Sequence, residues 1–66
     1  MDKNKRRYKR LLKEVDYIID ITLPIALDRA KTTVDSSILN KELDILLKKM
    51  EEISELEVVL KQELLN

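Results

Sequence analysis

The chain has 66 residues, with 13 Lys or Arg against 13 Asp or Glu, and it contains no histidine, cysteine or glycine. This length allows one small domain, and the missing residue types exclude the disulfides and common zinc sites that stabilise many folds of this size. They also exclude a thiolate nucleophile, an imidazole base and a glycine-rich phosphate loop. We therefore expect no enzyme, no metal and no cofactor.

The first predicted helix runs from about residue 4 to about residue 30. One apolar seam has alternating three- and four-residue spacing, and a second stripe, with a period of seven, flanks it. Because the pattern keeps its phase across Pro24, it predicts one helix that is kinked there by a lost hydrogen bond and a ring clash. The alternative is a separate short helix with Pro24 in its first turn. The seam consists of Tyr8, Leu12, Val15, Ile19, Thr22 and Ala26, and the flanking stripe of Leu11, Ile18 and Ile25.

A turn is predicted over about residues 31–36, where two threonines and a valine lower helix propensity and Asp35 or Ser36 can cap the next helix. The second helix then runs over about residues 36–65. It offers favourable ion pairs four residues apart, Asp44 with Lys48 on its outer face and the seam residue Glu57 with Lys61. Its seam consists of Leu39, Leu43, Leu46, Met50, Ile53, Glu57, Leu60 and Leu64.

Folding the chain about residue 34 brings the two seams together, with Val15 opposite Ile53 and Tyr8 near Leu60. The predicted fold is therefore all-α, an antiparallel helical hairpin that forms a single domain over residues 1–66. A lone hairpin gives each helix only one neighbour and leaves a second apolar stripe uncovered. We expect it to pair into a four-helix bundle homodimer. The predicted surface for self-association or a partner consists of Leu23, Ile25, Leu27, Ile38, Ile45, Leu56 and Val59.

One charged residue, Glu57, occupies a seam position. We expect its carboxylate to reach solvent or to pair with Arg10 near the open end of the hairpin. A single polar residue in a seam can also set register and oligomeric state.

Charge is distributed unevenly, with a balance of +6 over residues 1–13 and −6 over the remainder. Positive charge at a helix N-terminus opposes the helix dipole, so something should offset it. The first explanation is internal: the hairpin would bring Glu55, Glu57 and Glu63 alongside the basic segment. The second is an anionic ligand such as nucleic acid, whose contacts would be Arg6, Arg7, Lys9 and Arg10.

These patterns predict a non-catalytic interaction protein that dimerises and binds a larger protein as a small regulator, inhibitor or adaptor. The composition suggests an AT-rich genome, and a stand-alone reading frame this short would fit a phage, a plasmid or another mobile element. The longest uncharged stretch near the N-terminal half, Ile21–Leu27, is far short of the ~18 residues that cross a bilayer, so we expect a cytoplasmic protein without a membrane partner.

The alternative function is a small dimer that binds RNA or DNA through its basic N-terminal segment. The layout of two helices that pair into a four-helix bundle resembles that of the plasmid copy-number protein Rop, which binds paired RNA loops. The resemblance is one of architecture alone, so it implies no binding residues. A third class, catalysis by inward-facing cations, is disfavoured because the middle of both seams is aliphatic.

Overall fold

A computed structural model describes the backbone of residues 2–65 and the side chains of residues 3–65; Met1 and Asn66, the ends of the predicted domain, lie outside the described residues. Over this range the chain is helical and has no strand. It forms α1 (Asp2–Tyr17), a π-helical turn (Ile18–Thr22), α2 (Leu23–Thr33) and α3 (Ser37–Leu65). We call α1, the π turn and α2 together the first arm. The arm packs along α3, with Asn4 beside Glu63, so the two run antiparallel.

The π turn lies immediately before Pro24, and the backbone stays helical through it, with Thr22 and Leu23 in the right-handed region. Its Leu23 N–H donates to the carbonyl of Ile18, five residues back. In a regular α-helix the ring of Pro24 would clash with the carbonyl four residues earlier, and the wider turn relieves that clash. The helical backbone therefore passes Pro24 without a break. A kink of the helix axis there stays a prediction.

The π turn changes which residues of the arm face α3. The buried residues are Leu11, Ile18 and Ala26, which are spaced by seven and then by eight. The extra residue is accommodated because the π turn holds one residue more than an α turn. The sequence pattern had assumed constant phase and predicted Leu12 and Ile19 in the seam; the structure leaves both exposed and buries their neighbours instead.

The turn between the helices begins at Val34, which has a left-handed backbone (φ 55°, ψ 30°). The first residue of α3, Ser37, donates its N–H to Oδ1 of Asp35 at 3.0 Å, and the carbonyl of Ser36 accepts the first helical bond from Asn40 at 2.9 Å. The cap thus lies where the sequence placed it.

The arm extends three residues past its predicted end and includes Thr32 and Thr33. Their hydroxyls donate to the carbonyls of Asp28 and Arg29, each at 2.7 Å, which is a local bond that helical threonines can make.

The helix α3 has no fully buried side chain. Half of its predicted seam is half-buried against the arm, namely Leu39, Leu46, Ile53 and Leu60. The alternate members Leu43, Met50, Glu57 and Leu64 are exposed. On the outer face Asp44 and Lys48 form the predicted ion pair at 3.1 Å. The molecule is a rod 52 Å long and 15 Å by 13 Å across, measured over its Cα atoms.

Candidate interaction surfaces

Polar contacts between the helices lie on two opposite sides of the hairpin. On one side the hydroxyl of Tyr8 donates to Oε1 of Glu57 at 3.3 Å. The adjacent residue, Arg7, forms an ion pair with Glu52. Successive residues of an α-helix point about 100° apart, so Tyr8 and Arg7 flank the line of contact from opposite sides. Each contact therefore identifies one edge of the hairpin.

The Tyr8 side of the hairpin carries five exposed, large apolar side chains. In the arm, Leu12, Ile19 and Leu27 each follow a buried residue by one position, which turns all three to the side on which Tyr8 lies. In α3, Met50 and Leu43 precede Glu57 by one and two heptads and so share its side. We call these five residues the apolar face. Each has between 39% and 49% of its surface exposed.

The opposite side, the ion-paired face, carries the charged contacts between Arg7 and Glu52 and between Glu14 and Lys49. The Lys49 ammonium donates to Oε2 of Glu14 at 3.1 Å, and both side chains are partly buried. The sequence patterns did not single out Glu14, Lys49 or Glu52. The available signal was their opposite charge at positions that face each other once the hairpin forms.

A shallow cavity of about 230 Å³ lies on the ion-paired face, near the middle and the turn end of the rod. Tyr17 and Ile25, which precede the buried Ile18 and Ala26, line it together with Ile21 of the arm and Ile38 of α3. Arg29 and Glu42 also contribute to the lining. The lining thus combines large apolar side chains with two charged ones, a composition that suits a protein contact.

The structure divides the predicted association surface between the two sides of the hairpin. Leu27 is exposed and follows Ala26 by one position, so it lies on the side of the apolar face. Leu23 is half-buried and lies on the same side, four positions before Leu27. Ile38, Ile45 and Val59 share the heptad position of Glu52 and lie with Ile25 on the ion-paired side. Leu56 is half-buried. The seven residues therefore do not form one patch.

The basic N-terminal segment lies along the ion-paired side. Lys3, Asn4, Arg6, Arg7 and Arg10 line one open depression at this end of the rod, while Lys9 is exposed outside it. The five side chains offer hydrogen-bond donors, and four of them carry positive charge. This arrangement can accept an anion.

The acids of α3 meet the basic end through other partners than those predicted. Glu57 accepts from Tyr8 instead of Arg10, and Glu63 accepts from Asn4 at 2.9 Å. Among the side chains of residues 3–65, no ion pair joins Arg6, Arg10 or Lys13 to an acid. Among the described side chains, the positive charge of the basic segment is thus offset directly only by the ion pair between Arg7 and Glu52.

Among the described side chains, two groups have a shifted pKa. Desolvation, followed by the charge and hydrogen bond of Glu57, raises the pKa of the Tyr8 phenol above its ordinary value, so it remains a donor at neutral pH. Hydrogen bonds from Ser37 lower the pKa of the Asp35 carboxyl, since they stabilise its charged form.

Within residues 2–65, no helix combines the length and apolar character needed to span a membrane. The described side chains also contain no group of three or more metal-ligating residues that could hold a metal ion. Comparison with known protein families, with curated proteins and with solved structures finds no match for this chain. Any functional conclusion therefore depends on the surfaces described above.

Proposed function

We propose that this chain is a non-catalytic helical interaction protein that dimerises and acts by binding a larger protein. In this proposal it is a small cytoplasmic regulator, inhibitor or adaptor encoded by a phage or another mobile element. The observation that supports it is the apolar face: five large aliphatic side chains lie exposed along one side of the rod. Contiguous exposed apolar surface of this kind marks interaction sites in soluble proteins.

Dimerisation follows from how little a single copy can bury. Only Leu11, Ile18 and Ala26 are buried hydrophobic residues among those described. Helix hairpins of this kind gain a core when two of them stack into a four-helix bundle, and two-fold dimers are the commonest assemblies. We include in the proposal a kink of the arm at Pro24, which would let the arm follow its neighbours.

The larger partner has the ion-paired face available to it once the apolar face is covered. The cavity around Tyr17, Ile25 and Ile38 supplies an apolar centre, and the flanking Arg29 and Glu42 supply a charged rim. Interfaces between proteins draw most of their energy from such centres, in which tyrosine and arginine are enriched.

The test is affinity capture with the full chain from its source cell, followed by reconstitution of the complex from purified components. We expect Ile25→Glu to weaken the reconstituted complex by tenfold or more, because it places a charge in the apolar centre; one lost anchor costs about 2 kcal/mol. The matched control is Val58→Glu, which introduces the same charge at another exposed aliphatic position. Equal affinities of the two variants would contradict the assignment of this surface.

The second candidate function is binding of RNA or DNA, and it is favoured by the depression lined by Lys3, Arg6, Arg7 and Arg10. We expect Arg6→Glu with Arg10→Glu to abolish salt-sensitive retention on mixed nucleic acid, because phosphate contacts dominate such binding. The control, Lys31→Glu with Lys41→Glu, changes the net charge equally near the turn. If neither pair alters retention, nucleic-acid binding through this segment is excluded.

A further inference from the structure

We infer that the apolar face is covered by a second copy of this chain lying antiparallel to the first, with Ile19 and Met50 nearest the two-fold axis. This inference deepens the proposed function by assigning the surface and the orientation of the dimer. Three observations support it: the area that one copy leaves exposed, the distribution of polar groups between the two sides, and the position of the basic segment at one end of the rod.

The exposed area matches what a stable dimer needs. One copy exposes 5489 Å², whereas a compact folded chain of 7.8 kDa exposes about 4,400 Å². The difference is about 1,100 Å², and a standard interface removes about 800 Å² from each partner. One side of the rod, 52 Å by 15 Å, has a footprint of roughly 800 Å². Covering one side with a second copy therefore accounts for most of the excess.

The distribution of polar groups indicates which side is covered. The ion-paired face carries both interhelical ion pairs and the basic depression. On the side of the apolar face, Glu57 is the one charged seam residue, and its carboxylate already accepts a hydrogen bond from Tyr8. Burial of the apolar face therefore strands few polar groups, which is the condition for a low desolvation cost.

Charge then selects the orientation of the second copy. Residues 3–13 carry seven positive charges and lie at the open end of the hairpin. Parallel stacking would place both such segments at one end of the dimer, diagonally across the bundle and about 14 Å apart. Antiparallel stacking about an axis at Ile19 separates the centres of the two segments by roughly 33 Å, because Tyr8 lies 11 residues from Ile19 and each helical residue rises about 1.5 Å. This separation is far beyond the Debye length of about 8 Å. It also sets each basic segment beside residues 28–44 of the other copy, which contain four acidic and three basic residues.

Antiparallel stacking has a specific geometric consequence. A two-fold axis across the rod sets each arm against the arm of the other copy, and α3 against α3. Ile19 and Met50 lie near the midpoints of the arm and of α3, so each approaches its own counterpart. A two-fold axis along the rod would instead set the arm against α3, and Ile19 would meet Met50.

Single cysteine variants test this arrangement, since the chain contains no other thiol. We expect Ile19→Cys alone and Met50→Cys alone to form disulfide-linked dimers under mild oxidation. The rate should exceed that of Ile25→Cys, an equally exposed position on the ion-paired face, by roughly tenfold or more, because adjacent thiols have millimolar effective concentrations. A mixture of Leu12→Cys with Leu27→Cys should also cross-link, whereas Leu12→Cys alone should not. Helical circular dichroism of each variant checks that it folds.

Three results would overturn the inference, and they differ in what they say about the proposed dimer. Cross-linking only between Ile19→Cys and Met50→Cys would show a parallel dimer through the same face. Faster cross-linking of Ile25→Cys would show a dimer through the ion-paired face. Sedimentation of the unmodified chain at the monomer mass throughout the micromolar range would overturn the inference and the proposed dimer together.

Discussion

The residue whose backbone departs furthest from the preference of its side chain is Val34, at the C-terminal end of the arm. Its left-handed conformation is one that glycine adopts freely and that a β-branched residue adopts at a cost. The side chain offers no compensating contact, because 92% of its surface is exposed. The position therefore stores local strain that the chain could lose without losing packing.

Replacing Val34 by glycine should stabilise the folded state. Relief of the left-handed strain, of about 1–2 kcal/mol, outweighs the extra chain entropy of glycine, so we expect a net gain of up to ~1 kcal/mol. Urea denaturation at fixed protein concentration measures it. Val58→Gly, also at an exposed valine but within α3, should have the opposite sign and cost ~0.5 kcal/mol. A loss of stability in both variants would contradict the strain at Val34.

The capping residue Asp35 predicts a pH dependence. Hydrogen bonds from Ser37 lower the pKa of its carboxyl in the folded state, so its contribution is present above the ordinary aspartate pKa of 3.8 and is lost as pH falls through the lowered value. We expect Asp35→Ala to lower the urea midpoint at neutral pH, and the difference from the natural chain to shrink below pH 3.8. Asp35→Asn keeps a capping oxygen and should show no such pH-dependent loss. A difference for Asp35→Ala that is constant down to strong acid would argue against this cap.

At the scale of the elements, the π turn changes which stripe of the arm is buried against α3. The structure buries Leu11 and Ile18 of the predicted flanking stripe as far as the first residue of the π turn, and Ala26 of the predicted seam after the turn. A fixed period of 3.6 residues per turn cannot predict this change of buried stripe, because it gives every turn the same number of residues. The available signal was Pro24, whose ring disfavours a regular α turn before it.

Removing one residue from the π turn should convert it to a regular α turn with little loss of stability. In a Pro24→Ala background, deletion of the exposed Ile21 keeps Leu11, Ile18 and Ala26 on one stripe. Deletion of the exposed Asp16 in the same background instead puts Leu11 out of phase with Ile18. It should cost on the order of 2 kcal/mol, as loss of a buried leucine does. Thermal unfolding compares the two deletions with the Pro24→Ala parent.

Equal destabilisation by the two deletions would show that the π turn does not hold the extra residue. A cost for the Ile21 deletion alone would show that the π turn is needed for packing against α3. We expect the deletion of Asp16 to lower the stability more than the deletion of Ile21.

At the scale of the whole molecule, helix content, the position of the turn and its cap followed from capping residues and apolar spacing. The division into two unlike sides did not, because the stripe that faces α3 is chosen by the π turn and by side-chain pairing across the hairpin. Glu14 and Lys49 are 35 positions apart in the chain, and nothing local marks them as partners. The surface predicted for association was for this reason a mixture of residues from both sides.

The equilibrium between monomer and dimer should make the free energy of unfolding depend on protein concentration. If folding and dimerisation are coupled through the apolar face, each tenfold rise in protein concentration stabilises the dimer by about 1.4 kcal/mol. Met50→Glu should remove this dependence. Met50 is partly exposed in one copy, so a glutamate there is tolerated by the monomer, but in the dimer it would place two like charges against each other. Thermal unfolding over a hundredfold concentration range, read by circular dichroism, measures both effects.

Ile25→Glu is the matched control, since Ile25 is about as exposed as Met50 but lies on the ion-paired face. It should leave the concentration dependence unchanged. A dependence that is lost in Ile25→Glu and kept in Met50→Glu would move the dimer to the ion-paired face. A natural chain whose unfolding temperature is the same at every concentration would mean that three buried hydrophobic side chains, with the contacts across one hairpin, are sufficient for the fold.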